Sequence, residues 1–142
     1  MRKVEVKSHV TSEAVAEPRD ELWSNCLKVG NVVYISGLTS RAPDNLSILG
    51  NDAYAQSKVI FSKMRSLLEA AGGTIDDIVK LTIYVTDIST NTLVWKARRE
   101  FFSGHFPTST LVEVSALALP QICVEIDGIA YIGCSRNDAK AS

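Results

Sequence analysis

Along residues 79–86, apolar Val79, Leu81, Ile83 and Val85 alternate with Lys80, Thr82, Tyr84 and Thr86. A two-residue period of this kind predicts a strand with one face on a core. Upstream, Cys26-Leu27-Lys28-Val29 and Asn31-Val32-Val33-Tyr34-Ile35-Ser36 flank Gly30, the arrangement of a β-hairpin turning at Gly30-Asn31. Gly37 and the polar run Ser40-Arg41-Ala42-Pro43-Asp44-Asn45 then end the second strand, because Pro and the Asp-Asn pair favour a turn. Over residues 52–71 the period changes. Ile60, Met64, Leu67, Leu68 and Ala71 form one helical stripe, stopped by Gly72-Gly73. Leu93, Val94, Ala97, Phe101 and Phe102 form a second over residues 91–102, ending near Gly104 and Pro107. Two further strands, residues 110–116 and 122–132, are expected around a Leu119-Pro120 turn. The order is β-β-α-β-α-β-β, an α+β layer in which two helices cover one face of a single sheet. The face bearing Tyr34, Tyr84 and Val112 or Glu113 is left open, and a second subunit is its natural cover.

The 142 residues suit one domain, 1–142, with residues 1–20 and 133–142 expected to be peripheral. Hydrophobic residues make up 46% and charged residues 22%, which excludes a largely disordered chain. Fifteen basic residues against sixteen acidic ones leave a net charge of −1, so no basic footprint favours nucleic acid as a partner. The N-terminal Met1-Arg2-Lys3-Val4-Glu5-Val6-Lys7 is charged throughout, and no apolar run reaches the roughly 20 residues a membrane span needs. These features predict a cytoplasmic protein without a membrane partner. Cys26, Cys123 and Cys134 lack Cys-x-x-Cys spacing and are expected as buried reduced thiols. His9 and His105 lie far apart, so no metal site is expected.

One run carries more specific information: Phe106-Pro107-Thr108-Ser109-Thr110-Leu111-Val112-Glu113-Val114, followed by Val124-Glu125-Ile126-Asp127. With Val33-Tyr34-Ile35-Ser36-Gly37, Gln56, Leu67-Leu68-Glu69-Ala70-Ala71-Gly72, Asp77-Ile78-Val79-Lys80-Leu81-Thr82 and Val85-Thr86-Asp87, it resembles the Rid family of reactive intermediate deaminases, also called the YjgF family. The resemblance extends from about Trp23 to Ile132. It implies a chorismate-mutase-like subunit assembled as a homotrimeric barrel, with clefts between subunits that hydrolyse small enamine or imine acids such as 2-aminoacrylate. It implies no cofactor and no metal.

By the same resemblance, Glu125 stands at the family's water-positioning glutamate and Ser36 at its cleft serine. Three positions depart. Ser109 replaces an arginine in Phe-Pro-Ala-Arg-Ser-x-Val-Glu-Val, Trp23 replaces the tyrosine of a Pro-Tyr-Ser-Gln segment, and Trp95 stands at an asparagine of some members. An arginine grips a carboxylate through two charge-assisted hydrogen bonds, whereas serine offers one neutral donor. Its loss without replacement costs roughly 2–5 kcal/mol, which weakens the expectation of 2-aminoacrylate turnover. Ser40-Arg41-Ala42-Pro43-Asp44-Asn45 and Glu125-Ile126-Asp127-Gly128-Ile129-Ala130-Tyr131 look like segments of the related 2-aminomuconate deaminases. Arg41 is then the expected substitute cation, with Trp23 and Trp95 as flat walls. Ser36, Ser109, Trp23, Trp95, Arg41 and Leu111 form the expected substrate-binding set, and Glu125 is the expected catalytic residue.

Each has a plainer reading. Glu125, Asp127 and Cys123 could be one solvated strand face, Arg41 a solvated loop residue and Trp95 a packing residue. Glu113 reads better as a structural contact than as a site residue. Arg98-Arg99 beside Glu100 reads as a mixed, solvated helix face, and His105 as a loop residue. The function expected is therefore hydrolytic deamination of a small metabolite. The alternative is a trimeric binding or protective protein without catalysis.

Overall fold

Gly30, at φ +58°, turns the chain between β2 (Cys26–Val29) and β3 (Val32–Leu38) in a computed structural model that describes residues 3–136. The hairpin pairs Val29 with Val32 and Cys26 with Ile35. β1 (Lys7–His9) lies antiparallel on its outer side, an element too short to show a period in sequence. The other elements are α1 (Ala53–Ala70), β4 (Ile78–Val85), α2 (Asn91–Phe101), β5 (Thr108–Glu113) and β6 (Val124–Tyr131). The sheet has six strands in the order β1-β2-β3-β6-β4-β5. β6 inserts antiparallel between β3 and β4, and β5 pairs parallel with β4 at the far edge after the crossover through α2.

Asp52 starts α1 by accepting a hydrogen bond from the Ala55 N–H at 2.8 Å. Gly72, at φ +96°, ends it, with the Gly73 N–H returning to the Leu68 carbonyl at 2.8 Å. The stripe of Ile60, Met64, Leu67 and Leu68 is fully buried, and Phe61 joins it; burial of each such side chain is worth roughly 1.5–3 kcal/mol. Phe61 also joins the two helices, its ring 5.7 Å from Phe101 and 5.3 Å from Phe102. On the sheet, Val33, Ile35, Leu81, Ile83, Val85, Val124, Ile126 and Ala130 face this core. Among the described residues the opposite face carries no helix, and Tyr34 and Val112 on it are 49% and 41% exposed.

Four local expectations are corrected. Val79 does not extend the apolar face of β4: the register shifts between Ile78 and Lys80, so Ile78 takes the buried position and Val79 turns outward. Strand β5 starts at Thr108 rather than Thr110, because its parallel register with β4 sets in directly after Pro107, and it ends at Glu113. The first twenty residues are not merely peripheral, since β1 extends the sheet and Val10 and Val15 enter the core. Of residues 133–142, those after 136 lie outside the described residues. Fourth, only Cys26 is a buried thiol, pushed up to about 11 by burial and by nearby Glu17; Cys123 is half-buried and Cys134 is at the surface.

Two buried polar side chains hold the layers together. Gln56 donates to the Gly50 and Gln121 carbonyls and accepts the Cys123 N–H at 3.0 Å, fixing α1 to the entry of β6. Asp77, before β4, accepts from the Thr74, Gly133 and Ser135 N–H groups and from the Ser135 hydroxyl. Among the described residues, no helix is long and apolar enough to cross a membrane.

Candidate functional site

Along β6, Val124, Ile126 and Ala130 point into the core, and Glu125 and Asp127 point to the open face. Cys123 precedes the strand and packs against the core, so it does not join the two carboxylates. Opposite Glu125 stands Tyr84, whose hydroxyl donates to Asp127 Oδ2 at 3.3 Å. Burial, and then the charge of Asp127, push the Glu125 carboxyl above its ordinary range. The backbone makes room for it at one glycine. A Cβ at Gly37 would lie 2.5 Å from Glu125 Oε2, and the β3–β6 register shifts there, between Ile35 and Leu38.

Glu125 lines a cavity of about 190 Å³ together with Trp23, Gly37, Arg41, Lys63 and Ile122. Arg41 reaches it from the loop predicted after β3. That loop is a small self-bonded hairpin: Ala42 and Leu49 N–H groups bond to the Ser47 and Ser40 carbonyls, and Asp44 Oδ1 accepts from the Leu46 and Ser47 N–H groups. Arg41 Nη1 donates to the Asn45 carbonyl at 3.2 Å, and Asn45 Nδ2 ties the loop to the Glu17 carbonyl. Trp23, 57% exposed, also borders an adjoining hollow of about 530 Å³ lined by Pro18, Leu22, Leu46 and Leu119. Lys63 enters from α1, its Nζ donating to the Thr39 carbonyl at 2.7 Å, and burial followed by the charge of Arg41 pushes its ammonium down to about 8.

Glu125, Trp23 and Arg41 are thus brought together, and the other expected residues stand elsewhere on the subunit. Ser36 donates its hydroxyl to the Ser24 carbonyl at 2.6 Å, leaving Oγ as an acceptor, and it does not line the cavity. Ser109 and Leu111 share the helix-covered face, since Leu111 pairs with core residue Ile83 and packs against the core. Ser109 Oγ accepts from Arg98 Nη2 at 3.0 Å. Trp95 is 42% exposed on α2, one turn before Arg98. Glu113, on the same face of β5, accepts the Ile88 N–H at 3.0 Å just ahead of α2, a contact within the subunit.

Arg98 corrects another expectation. Arg99 and Glu100 are solvated, but Arg98 is half-buried, its Nε has no partner among the described residues, and burial pushes its guanidinium downward. Among the described residues, no group of three or more His, Cys, Asp or Glu side chains is gathered as metal ligands would be.

The profile of the endoribonuclease L-PSP family matches residues 15–132. The chain belongs to this family, the Rid or YjgF family. It is 30% identical over 109 residues to a RutC family protein of Pyrococcus abyssi, covering 77% of this chain and 85% of that one. A protein of unknown function from Pseudomonas aeruginosa superposes with a TM-score of 0.81 at 39% identity, over 92% of this chain and 95% of its own. RidA from an Antarctic Psychrobacter species superposes at 0.79 with 30% identity, over 88% and 99%. The α+β architecture expected for a Rid subunit is the one observed.

Within this Rid chain, two residues at the site or its flank escaped the sequence reading. Lys63 is one position before buried Met64 on the edge of the α1 stripe, where a lysine ordinarily snorkels to solvent. Arg98 directly follows buried Ala97, so the helical period placed it beside the core face; the charged run Arg98-Arg99-Glu100 concealed it.

Proposed function

We propose that this Rid protein is a hydrolytic deaminase of small reactive enamine or imine acids. The observation that carries the reading is Glu125, a carboxylate with its affinity for protons raised by burial, lining one cavity with the guanidinium of Arg41. A carboxylate disfavoured in this way takes a proton more readily than a solvated one. Arg41 holds the substrate carboxylate and Trp23 provides a flat wall for a conjugated substrate, which supports an aminomuconate-like acid. An enamine first tautomerises to its imine. Glu125 then removes a proton from water as the oxygen bonds to the imine carbon and the C–N π electrons move to nitrogen, and it passes that proton to nitrogen to give the carbinolamine. Glu125 next takes the hydroxyl proton and delivers it to nitrogen as the carbinolamine collapses: the C–O π bond forms, the C–N bond breaks, ammonia leaves and a 2-oxo acid remains. No step calls on a cofactor or metal.

The open sheet face, with Tyr34 and Val112 exposed, supports a homotrimer closed over that face. Clefts between subunits would then add Ser36 to the site, whereas Ser109 and Leu111 lie on the opposite, helix-covered face. The net charge of −1 gives no electrostatic reason for a nucleic-acid partner, and a cytoplasmic small-molecule role fits it. A second reading, a trimeric metabolite-binding or protective protein, is favoured by one observation: the Ser36 hydroxyl is already donated to Ser24.

The test is ammonia release from 2-aminoacrylate and 2-aminomuconate generated in situ, with wild type and Glu125→Gln. Turnover lost in the variant supports the deaminase, and the relative rates rank the substrates. Release no faster than the spontaneous rate on both would favour the binding protein.

A further inference from the structure

The cavity of Glu125 has a second cation that the proposed mechanism does not use. Lys63 and Arg41 form the boundary between it and a second hollow of about 350 Å³ along α1, and among the described residues no acidic side chain lines that second hollow. Arg41 stands close enough for its charge to disfavour the Lys63 ammonium. Yet the one ion pair within 4.0 Å among the described residues is His9 with Glu17, so neither cation has a carboxylate partner there. The Lys63 ammonium keeps one hydrogen bond, to the Thr39 carbonyl, of the three it can donate.

Two partly desolvated like charges without an acid between them oppose folding, and a bound anion between them would relieve both the repulsion and the unmet donors. The other charged groups around Lys63 are Glu125 across the cavity and Lys58 on α1. Lys58 is turned to the Tyr54 ring, 4.5 Å from its centroid, and does not neutralise the pair.

We propose that Lys63 and Arg41 act together as the anion-binding wall of this cavity, gripping the carboxylate of the substrate while its reacting carbon faces Glu125. Arg41 supplies a planar fork and Lys63 a compact charge anchored by the Thr39 carbonyl, so a carboxylate can bridge them. The wall makes a free carboxylate a condition of binding: an amide or ester of the same skeleton brings no charge to offset the pair. It also couples binding to a proton, because the Lys63 ammonium is pushed down to about 8 in the empty cavity and an anion holds it protonated.

This inference rests on reading the Glu125 cavity as the substrate site, and it is tested by binding rather than by turnover. Calorimetry would compare pyruvate, a short 2-oxo acid of the product class, with pyruvamide, on wild type, Lys63→Met and Lys63→Arg. Circular dichroism melts would verify that all three fold. Pyruvate is expected to bind wild type at least tenfold more tightly than pyruvamide. The Met variant should lose most of that preference, and the Arg variant should retain it to within about threefold. At pH 8, buffers of different ionisation enthalpy should reveal proton uptake by wild type and none by Lys63→Met. Equal pyruvate binding in wild type and Lys63→Met, no preference over the amide, or no proton uptake would each overturn the wall. Lys63-dependent binding without ammonia release would keep the wall and remove the deaminase. Glu125-dependent release with a KM indifferent to Lys63→Met would do the reverse.

Discussion

Arg98 Nη2 lies 3.0 Å from Ser109 Oγ, so a guanidinium from α2 stands beside the β5 position where the family resemblance expects an arginine. The cation beside this position comes from α2 and not from the strand itself. This placement predicts that Ser109→Arg would crowd two positive charges, and urea melts should show a loss of about 1–3 kcal/mol. Adding Arg98→Met should recover much of that loss, with a coupling of about 1 kcal/mol in the double-mutant cycle. Additive effects would mean that the two positions do not interact.

Gly37 is predicted to be the backbone position on which the Glu125 carboxylate depends. A methyl group there would lie 2.5 Å from Oε2, and the flexible end of the glutamate is the part that can yield. Gly37→Ala should therefore fold with a melting temperature near wild type while ammonia release falls at least tenfold. Full activity in a folded variant would contradict the close approach.

The pH dependence of turnover should be set by Glu125 on its acid side. The carboxyl must be ionised to accept a proton from water, and burial and the charge of Asp127 both raise its pKa. The acid limb of kcat/KM is thus expected above the ordinary carboxylate range. Asp127→Asn removes one negative neighbour, so the limb should move to lower pH. A limb that stays in place would assign it to another group.

Asp77 provides a stability prediction separate from the site. Burial would raise its pKa, but the N–H groups of Gly133, Ser135 and Thr74 and the Ser135 hydroxyl overcome this and lower it. A carboxyl lowered on folding contributes stability above the unfolded value, about 3.9, and loses it as pH falls through the folded one. Asp77→Ala should cost about 3 kcal/mol at pH 7, because several N–H donors lose their partner. The deficit should shrink below about pH 4 in melts compared across pH.

How far the sequence could be read follows from which interactions are local. The stripe Ile60, Met64, Leu67 and Leu68 and the Gly72-Gly73 stop depend on spacing within one helix, and both were legible. Strand parity likewise put Glu125 and Asp127 on one face. The bulge at Val79 was not legible, because register is decided by the partner strand β6 and not by the alternation in β4 itself. Arg41 could be picked out from its own loop, but Lys63, which lines the same cavity, comes from a helix about twenty residues away, and only tertiary packing brings the two together. Ser109 could be singled out from its motif, whereas its hydrogen bond from Arg98 on α2 required the tertiary packing to be known.

Strand β6 alternates Val124 and Ile126, committed to the core, with Glu125 and Asp127, committed to the open face. Inheritance can therefore act on the two sets separately. Substitutions at the acidic positions can retune the open face without loosening the interior, and drift among the aliphatic ones can proceed without altering that face. A strand divided in this way lets a lineage change what its open face meets while keeping its architecture.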